Sequence, residues 1–256
     1  EARVTERTRE LASKNSELQL AYKTLEELSL IDSLTKVSNR RFLLKHLDKD
    51  LAISFKHYLD FNKGLKLKPV VDGDLAFFMV DIDHFKQVND TYGHEVGDQV
   101  LVQVKAVLLS VFSESDFLVR WGGEAFLVIA RFICRSNVPR LAERLRQAFA
   151  EHAFNISAGE PLKKTCSVGF ACYPFEPTQP EAISWMQLVD IADICMLAAK
   201  KSQRNAWVGI DCNGEKDIGA WFSRFNEHSG QAMQSEGLKL QTSLGPDTPV
   251  QWGKQH

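Results

Sequence analysis

The chain has 256 residues, 44% of them hydrophobic, with 31 basic against 33 acidic side chains and a formal net charge of −2. That length allows one sizeable core with an extra segment or two, and the balanced charge excludes a global field for nucleic acid or an anionic membrane, so any anion site must be local. The five cysteines, Cys134, Cys166, Cys172, Cys195 and Cys212, lack C-x-x-C spacing, which argues against a disulfide framework or a zinc knuckle, and no apolar run is long enough to span a bilayer.

Residues 1–30 are rich in Glu, Lys, Arg and Leu and lack Gly and Pro, which predicts a single helix. Val4, Leu11, Leu18 and Leu25 recur at heptad spacing, with Ala21 and Leu28 filling the seam less regularly, as in a short parallel coiled coil. The alternative is a solvated helix packing one stripe on its own domain. Ser29 breaks the repeat, and a globular domain begins near Asp32. Ser38 or Asn39 can cap a helix whose apolar stripe is Phe42, Leu43, Leu47 and Leu51. From 55 to 74 the pattern weakens, and Gly64, Pro69 and Gly73 predict a surface loop or insertion.

The stretch LAFFMVDIDHFKQVNDTYGHEVGD, residues 75–98, is the centre of the chain. Its uninterrupted apolar opening predicts a strand buried on both faces. Asp81 and Asp83 leave that strand on one face and Ile82 on the other. Carboxylates at the carboxyl end of a central strand stand where α/β sheets place ligand chemistry, and two of them beside Lys86 suit Mg²⁺ held together with phosphate oxygens. The plainer alternative is that they cap the next helix. A calcium loop is excluded, since Phe85 and Lys86 occupy its fifth and sixth positions. From Thr91 onward, Val96, Val100, Val104, Val107 and Val111 form a helical stripe, placing Asn89 and Asp90 near the helix start and Asp98 one or two turns in.

Residues 117–119 suit a short strand. In RWGGEAFLVIA two glycines mark a tight two-residue hairpin turn followed by Glu124. A helix is predicted over 139–154, a strand over 165–172, and a helix over 183–201 that ends on Lys200 and Lys201, with Arg204 just beyond. Those cations complement the helix dipole without any ligand. A last strand over 206–210 precedes a polar, irregular tail, 212–256, with little regular structure expected.

Four of these stretches together resemble the GGDEF family of diguanylate cyclases. DSLTKVSNRR is similar to the D-x-L-T-x-x-x-N-R-R opening, DIDHFKQVNDTYGHEVGD to the metal and guanine segment, RWGGEAF to the hairpin that names the family, and AKKSQRN to A-K-x-x-G-R-N. The resemblance implies a GGDEF domain over 31–211 of α/β (α+β) class, with a mixed central sheet flanked by helices as in nucleotide cyclases and polymerase palms, preceded by the coiled-coil helix of 1–30. It implies that Asp81, the carbonyl of Ile82 and Glu124 hold Mg²⁺ (or Mn²⁺), and that Glu124 also takes a proton. His84 and Phe85 would offer backbone contacts to phosphates, and Lys86 would stabilise their charge. Asn89 and Asp98 would read guanine, with His94 near the nucleotide and Leu34 lining the base pocket, and Lys200 and Arg204 would grip the terminal phosphates. The reaction implied is condensation of two GTP into cyclic di-GMP across a homodimer joined by the coiled coil, with no nucleic acid as partner. Since Glu1 falls in mid-pattern without Met or a signal peptide, an upstream sensory or membrane domain is expected, with this part in the cytoplasm.

The chain departs from the family at four places. Ala125 replaces the hairpin's usual fourth-position Glu, while Glu124 remains, so activity is expected to be weakened or retained rather than abolished. The alternative is a GTP-binding or dimerising module that no longer turns substrate over. Ser113 stands where the R-x-x-D product-inhibition motif has Arg, with Asp116 kept, so no inhibitory product site is expected. Leu197 replaces a Tyr and Gln203 a Gly near Arg204.

Overall fold

The computed structural model describes residues 2–28, 30–65, 70–157, 159–215, 217–235 and 237–252. In chain order its elements are α1 (Ala2–Leu28), β1 (Ser38–Asn39), α2 (Arg40–His46), α3 (Asp48–Asn62), β2 (Asp74–Ile82), α4 (Phe85–Tyr92), α5 (His94–Leu109), β3 (Phe117–Gly122), β4 (Ala125–Ile133), α6 (Val138–Glu151), β5 (Ala153–Phe154), β6 (Leu162–Lys163), β7 (Cys166–Tyr173), α7 (Trp185–Ser202), β8 (Ala206–Cys212), α8 (Ile218–Ala232) and β9 (Leu238–Thr242). One sheet runs in the order β1-β3-β4-β2-β7-β8-β9, and β5 and β6 form a separate ribbon. The central strand β2 is antiparallel to β4 and β7, whereas β1 with β3 and β7 with β8 are parallel pairs. The sheet is therefore mixed and flanked by helices, as the resemblance implied.

Every residue of β2 is buried, so both faces of the strand are covered, which explains the unbroken apolar run from Leu75 to Val80. Leu75, Phe77 and Met79 join a core built with α7 and α8, while Ala76, Phe78, Val80 and Ile82 join a second core built with α5 and α6. Asp81 continues the first of these rows and so emerges on the α7 side.

Several boundaries differ from expectation. The helix after Asn39, whose side chain accepts from the Phe42 amide, ends at His46, and α3 then runs to Asn62. Residues 55–62, expected as loop, are thus helical, and the buried Tyr58 hydroxyl donates to Asp74 Oδ1 at 2.8 Å. Part of the expected excursion, 66–69, lies outside the described residues. Gly93, with φ 84°, divides the single helix predicted from Thr91 into α4 and α5. Along α1, Leu11, Leu18 and Leu25 remain 68, 57 and 66% exposed; the side chains of Val4 and Leu28, and residue 29, lie outside the described residues.

The tail is the largest correction, because α8 and β9 are regular and belong to the core. Strand β9 extends the sheet beside β8. Trp221 is fully buried, stacked 5.0 Å from both Phe175 and Phe225, and its Nε1–H donates to the Ala232 carbonyl at 3.1 Å. Further on, the Gln251 amide donates to Ser202 Oγ at 3.0 Å, which returns the chain to the end of α7. Trp221→Ala is expected to cost about 3–5 kcal/mol of unfolding free energy, measured by urea denaturation; a loss under about 1 kcal/mol would show that the segment is only appended.

Candidate functional site

Four elements converge at the carboxyl end of β2. Asp81 is paired in register with Ala125 on β4 and Ser167 on β7, so the hairpin between β3 and β4 is carried to its side. The two residues of the hairpin turn are Gly123, with φ 52°, and Glu124; Gly122 still pairs with Ala125. Glu124 therefore occupies the turn itself, one place nearer its tip than the sequence reading put it. Two cations brace this hairpin, one from β3 and one from the start of α2. Arg120 donates through Nε at 3.1 Å and Nη2 at 2.9 Å to the Gly123 carbonyl, and through Nη1 at 3.1 Å to Asp32. The Arg40 guanidinium lies 4.5 Å from the centre of the Trp121 ring, a cation–π contact.

The third arm is α7. Its Lys200 Nζ stands 2.5 Å from Asp81 Oδ1 and 3.8 Å from Glu124 Oε1. Asp81 Oδ1 is buried without a well-aligned hydrogen bond, so it is held by charge rather than by directed bonding. Burial raises the Asp81 carboxyl above the usual range despite the opposing pull of Lys200. Glu124 is also raised, by burial and by the negative charge of Asp81, with Lys200 again opposing. The fit to a divalent cation follows from this donor chemistry: two converging carboxylates, desolvated and facing the ammonium of Lys200, suit Mg²⁺, which takes one or two carboxylates and completes its shell with phosphate oxygens and water. Among the described residues no cluster of three or more His, Cys, Asp or Glu side chains forms, so phosphate, water and backbone oxygens would supply the rest.

Asp83 does not join Asp81 in that role. Its carboxylate accepts from Thr165 Oγ1 and Ser167 Oγ, both at 2.7 Å, and from the Asn205 amide at 2.9 Å. With its acceptors engaged, it ties β7 and the α7–β8 turn to the end of β2. In that turn Arg204 and Asn205 have φ of 58° and 43°, and Arg146 Nη1 donates to Asn205 Oδ1 at 2.9 Å. Gln203 adopts φ −154°, which needs no glycine, so the turn forms without the family's Gly.

Asn89 and Asp98 lie on the hairpin of α4 and α5. A Cβ at Gly97 would fall 1.9 Å from Asn89 Oδ1, so the missing side chain lets Asn89 fold over α5 beside Asp98. Leu34 and Asp98, with Val102 and Ile156, line an open groove of about 520 Å³ along α5. His84 takes φ 57° at the start of α4, where no side chain caps the helix, and Phe85 is buried beneath it. Lys86, His94 and Arg204 are exposed, and among the described residues none is brought into an ion pair with Asp81 or Glu124. Asp116 caps its own turn, accepting from the Ser113 and Arg131 amides at 2.8 Å each.

Two contributors went unread. Arg120 fastens the Gly123 carbonyl, a role that the glycines after it do not announce in sequence. Asp193 lies on α7 with its carboxyl raised by burial and by the nearby Asp190 and Asp81 charges, Lys200 opposing; its spacing of seven from Lys200, two helical turns, is the signal that could have found it.

Converging carboxylates at a strand end and a cation delivered to both from α7 are the parts of a site for phosphate chemistry. A family model described as "Diguanylate cyclase, GGDEF domain" matches residues 29–206, and the chain belongs to that family. It is 35% identical over 185 residues to the response regulator PleD of Caulobacter vibrioides, covering 72% of this chain and 36% of that one. It is 36% identical over 145 residues to the diguanylate cyclase DgcP of Pseudomonas aeruginosa, covering 57% and 19%. The chain thus spans about a third or less of these relatives. Among solved structures it is similar to the diguanylate cyclase SiaD from Pseudomonas aeruginosa in complex with its activator SiaC (TM-score 0.55, 30% identity, 79% of this chain and 70% of that one). It is similar also to the coiled coil and GGDEF domain of DgcB from Caulobacter crescentus in complex with c-di-GMP (TM-score 0.53, 28% identity, 77% and 95%). No helix of the described residues is long and apolar enough to cross a membrane.

Asp32 offers a test of the brace. Burial would raise its carboxyl, but the Thr35 amide and hydroxyl and the Arg120 guanidinium outweigh burial and hold it below the usual range. A depressed folded-state carboxyl adds stability above its unfolded titration and loses it as pH falls through the folded one. Asp32→Asn is therefore expected to lower stability by about 1–2 kcal/mol at pH 7, with the gap to the unsubstituted chain closing as pH falls to about 3, followed by denaturation at both values.

Proposed function

We propose that this chain is an active diguanylate cyclase, condensing two GTP into cyclic di-GMP and releasing two pyrophosphates. The observation that carries this reading is the meeting of Asp81, at the end of β2, and Glu124, in the β3–β4 turn, against one cationic side chain. In it Asp81, the Ile82 carbonyl and Glu124 hold Mg²⁺ (or Mn²⁺). When bound, the ion draws charge from the phosphates and lowers the cost of ionising the attacking hydroxyl.

The chain's own residues do the rest. The raised Glu124 carboxylate is suited to accept the proton of the 3′-hydroxyl. As that oxygen bonds to the α-phosphorus of the opposite GTP, the bond to the β-phosphate bridge breaks and pyrophosphate leaves. Amides of His84 and Phe85 at the start of α4 face the phosphates, and Lys86, Lys200 and Arg204 offset their charge. An Asp98 carboxylate can accept from guanine's ring N–H and amine, and the Asn89 amide can donate to its acceptors, with Leu34 against the base and His94 nearby.

One domain supplies half of the reaction, so two must face each other in a symmetric dimer. The exposed leucine stripe of α1 supports a parallel coiled coil that raises the effective concentration of the two halves. This part lies in the cytoplasm in such a reading, downstream of a sensory or membrane domain.

A second reading rests on Ala125, which packs at the edge of the core directly across from Asp81. Here the domain binds GTP and dimerises without turnover. Chromatography of product from GTP and Mg²⁺ separates the two. The cyclase reading expects cyclic di-GMP, with Asp81→Asn and Glu124→Gln each lowering the rate by about 100-fold or more while calorimetry still detects nucleotide; a dimer that binds GTP and yields no product supports the second.

Product feedback through Ser113 and Asp116 is expected to be weak, since no guanidinium fork stands at 113 and Asp116 is engaged by two amides. Calorimetry with cyclic di-GMP is expected to give the same weak binding before and after Asp116→Ala, and tight binding lost on that substitution would contradict it.

A further inference from the structure

Lys200 stands within ion-pair distance of both carboxylates, on a helix that has little room to move. A Cβ at Gly169 would fall 1.9 Å from the Ala192 carbonyl oxygen and 2.2 Å from the Met196 amide nitrogen, so the backbone of α7 lies directly on β7. The Ser202 hydroxyl, at the end of the same turn, donates to Ala198 O at 2.8 Å while its oxygen accepts from the Gln251 amide. What can move is the side chain, an ammonium on a flexible four-carbon stem.

We infer that Lys200 is a resident counter-ion of the Asp81–Glu124 pair, competing with a divalent cation for these carboxylates until a nucleotide triphosphate draws its ammonium away. The inference rests on the site reading given above and adds an order of events to it. Two carboxylates with Lys200 in place carry one net negative charge. A divalent ion added without moving the lysine would leave one net positive charge in a partly buried space, at a cost that desolvation magnifies. If the ammonium leaves, the same ion brings the cluster to neutrality. A carboxylate oxygen about 2.0–2.1 Å from Mg²⁺ cannot at the same time keep an ammonium at 2.5 Å on the same side. A triphosphate offers the displaced ammonium a second anionic position, so metal and nucleotide each favour the entry of the other, by the same factor.

The test is Mn²⁺ binding followed by electron paramagnetic resonance on the full chain, without nucleotide and with the α,β-methylene analogue of GTP. Lys200→Met is expected to bind Mn²⁺ alone about 10-fold more tightly than the unsubstituted chain, and Lys200→Arg, which keeps the cation, to match the unsubstituted chain. Adding the analogue is expected to tighten Mn²⁺ binding more in the unsubstituted chain than in Lys200→Met. Equal or weaker Mn²⁺ binding by a Lys200→Met protein with an unchanged circular dichroism spectrum overturns the inference. Failure of the underlying site reading looks different: Asp81→Asn would then leave Mn²⁺ binding in the presence of the analogue unchanged.

Discussion

The structure depends on how it keeps two carboxylates at the end of a wholly buried strand. Asp81 is 8% exposed, and an ionised carboxylate at such depth is expensive unless an opposite charge is supplied. Lys200 supplies it from α7, and the close packing of α7 on β7 fixes where that charge can be delivered. The hairpin bringing Glu124 is held from the other side, through Arg120 and Asp32, by the segment that opens the domain. The strand, the hairpin, the opening segment and the helix therefore answer to one electrostatic demand, although they are separated by many tens of residues.

Much of the site was legible because its chemistry is local in sequence. Asp81 follows directly on the apolar run of β2, and Glu124 on two glycines, so strand end and turn could each be recognised without knowing that they meet. Their meeting depends on the pairing of β2 with β4, a long-range register that periodicity alone does not determine. The same limit explains Asp83. In sequence it is indistinguishable from Asp81 as a strand-end acid, and only the arrival of Thr165, Ser167 and the Asn205 amide turns it into a fastening between strands. Lys200 was legible as a helix-terminal cation, but its choice between helix dipole, phosphate and carboxylates is a matter of where α7 ends relative to the sheet.

The fold was legible where one residue period ran without interruption and obscured where composition disguised it. Gly93 lies inside a polar stretch, so the division of α4 from α5 was hidden by the valine stripe that continues beyond it. The tail shows the opposite case. Ile218, Trp221, Phe222 and Phe225 follow a helical i, i+3, i+4, i+7 pattern, yet the surrounding Gly, Ser and Gln read as irregular. Tertiary burial of those aromatic faces, rather than helix propensity, is what makes α8 regular.

The contact between Gln251 and Ser202 has a consequence for where this molecule can be cut. The family match stops at residue 206, whereas the cooperative unit continues through β9 to the tryptophan at 252. A clone ended at the match would lose β8 and β9, strip the covering from Phe175 and make β7 a raw rim with open backbone donors and acceptors, the kind of edge that recruits strands from other molecules. Homology and foldability therefore draw different borders here, and a sample shortened to the first would report on an adhesive relic of the second.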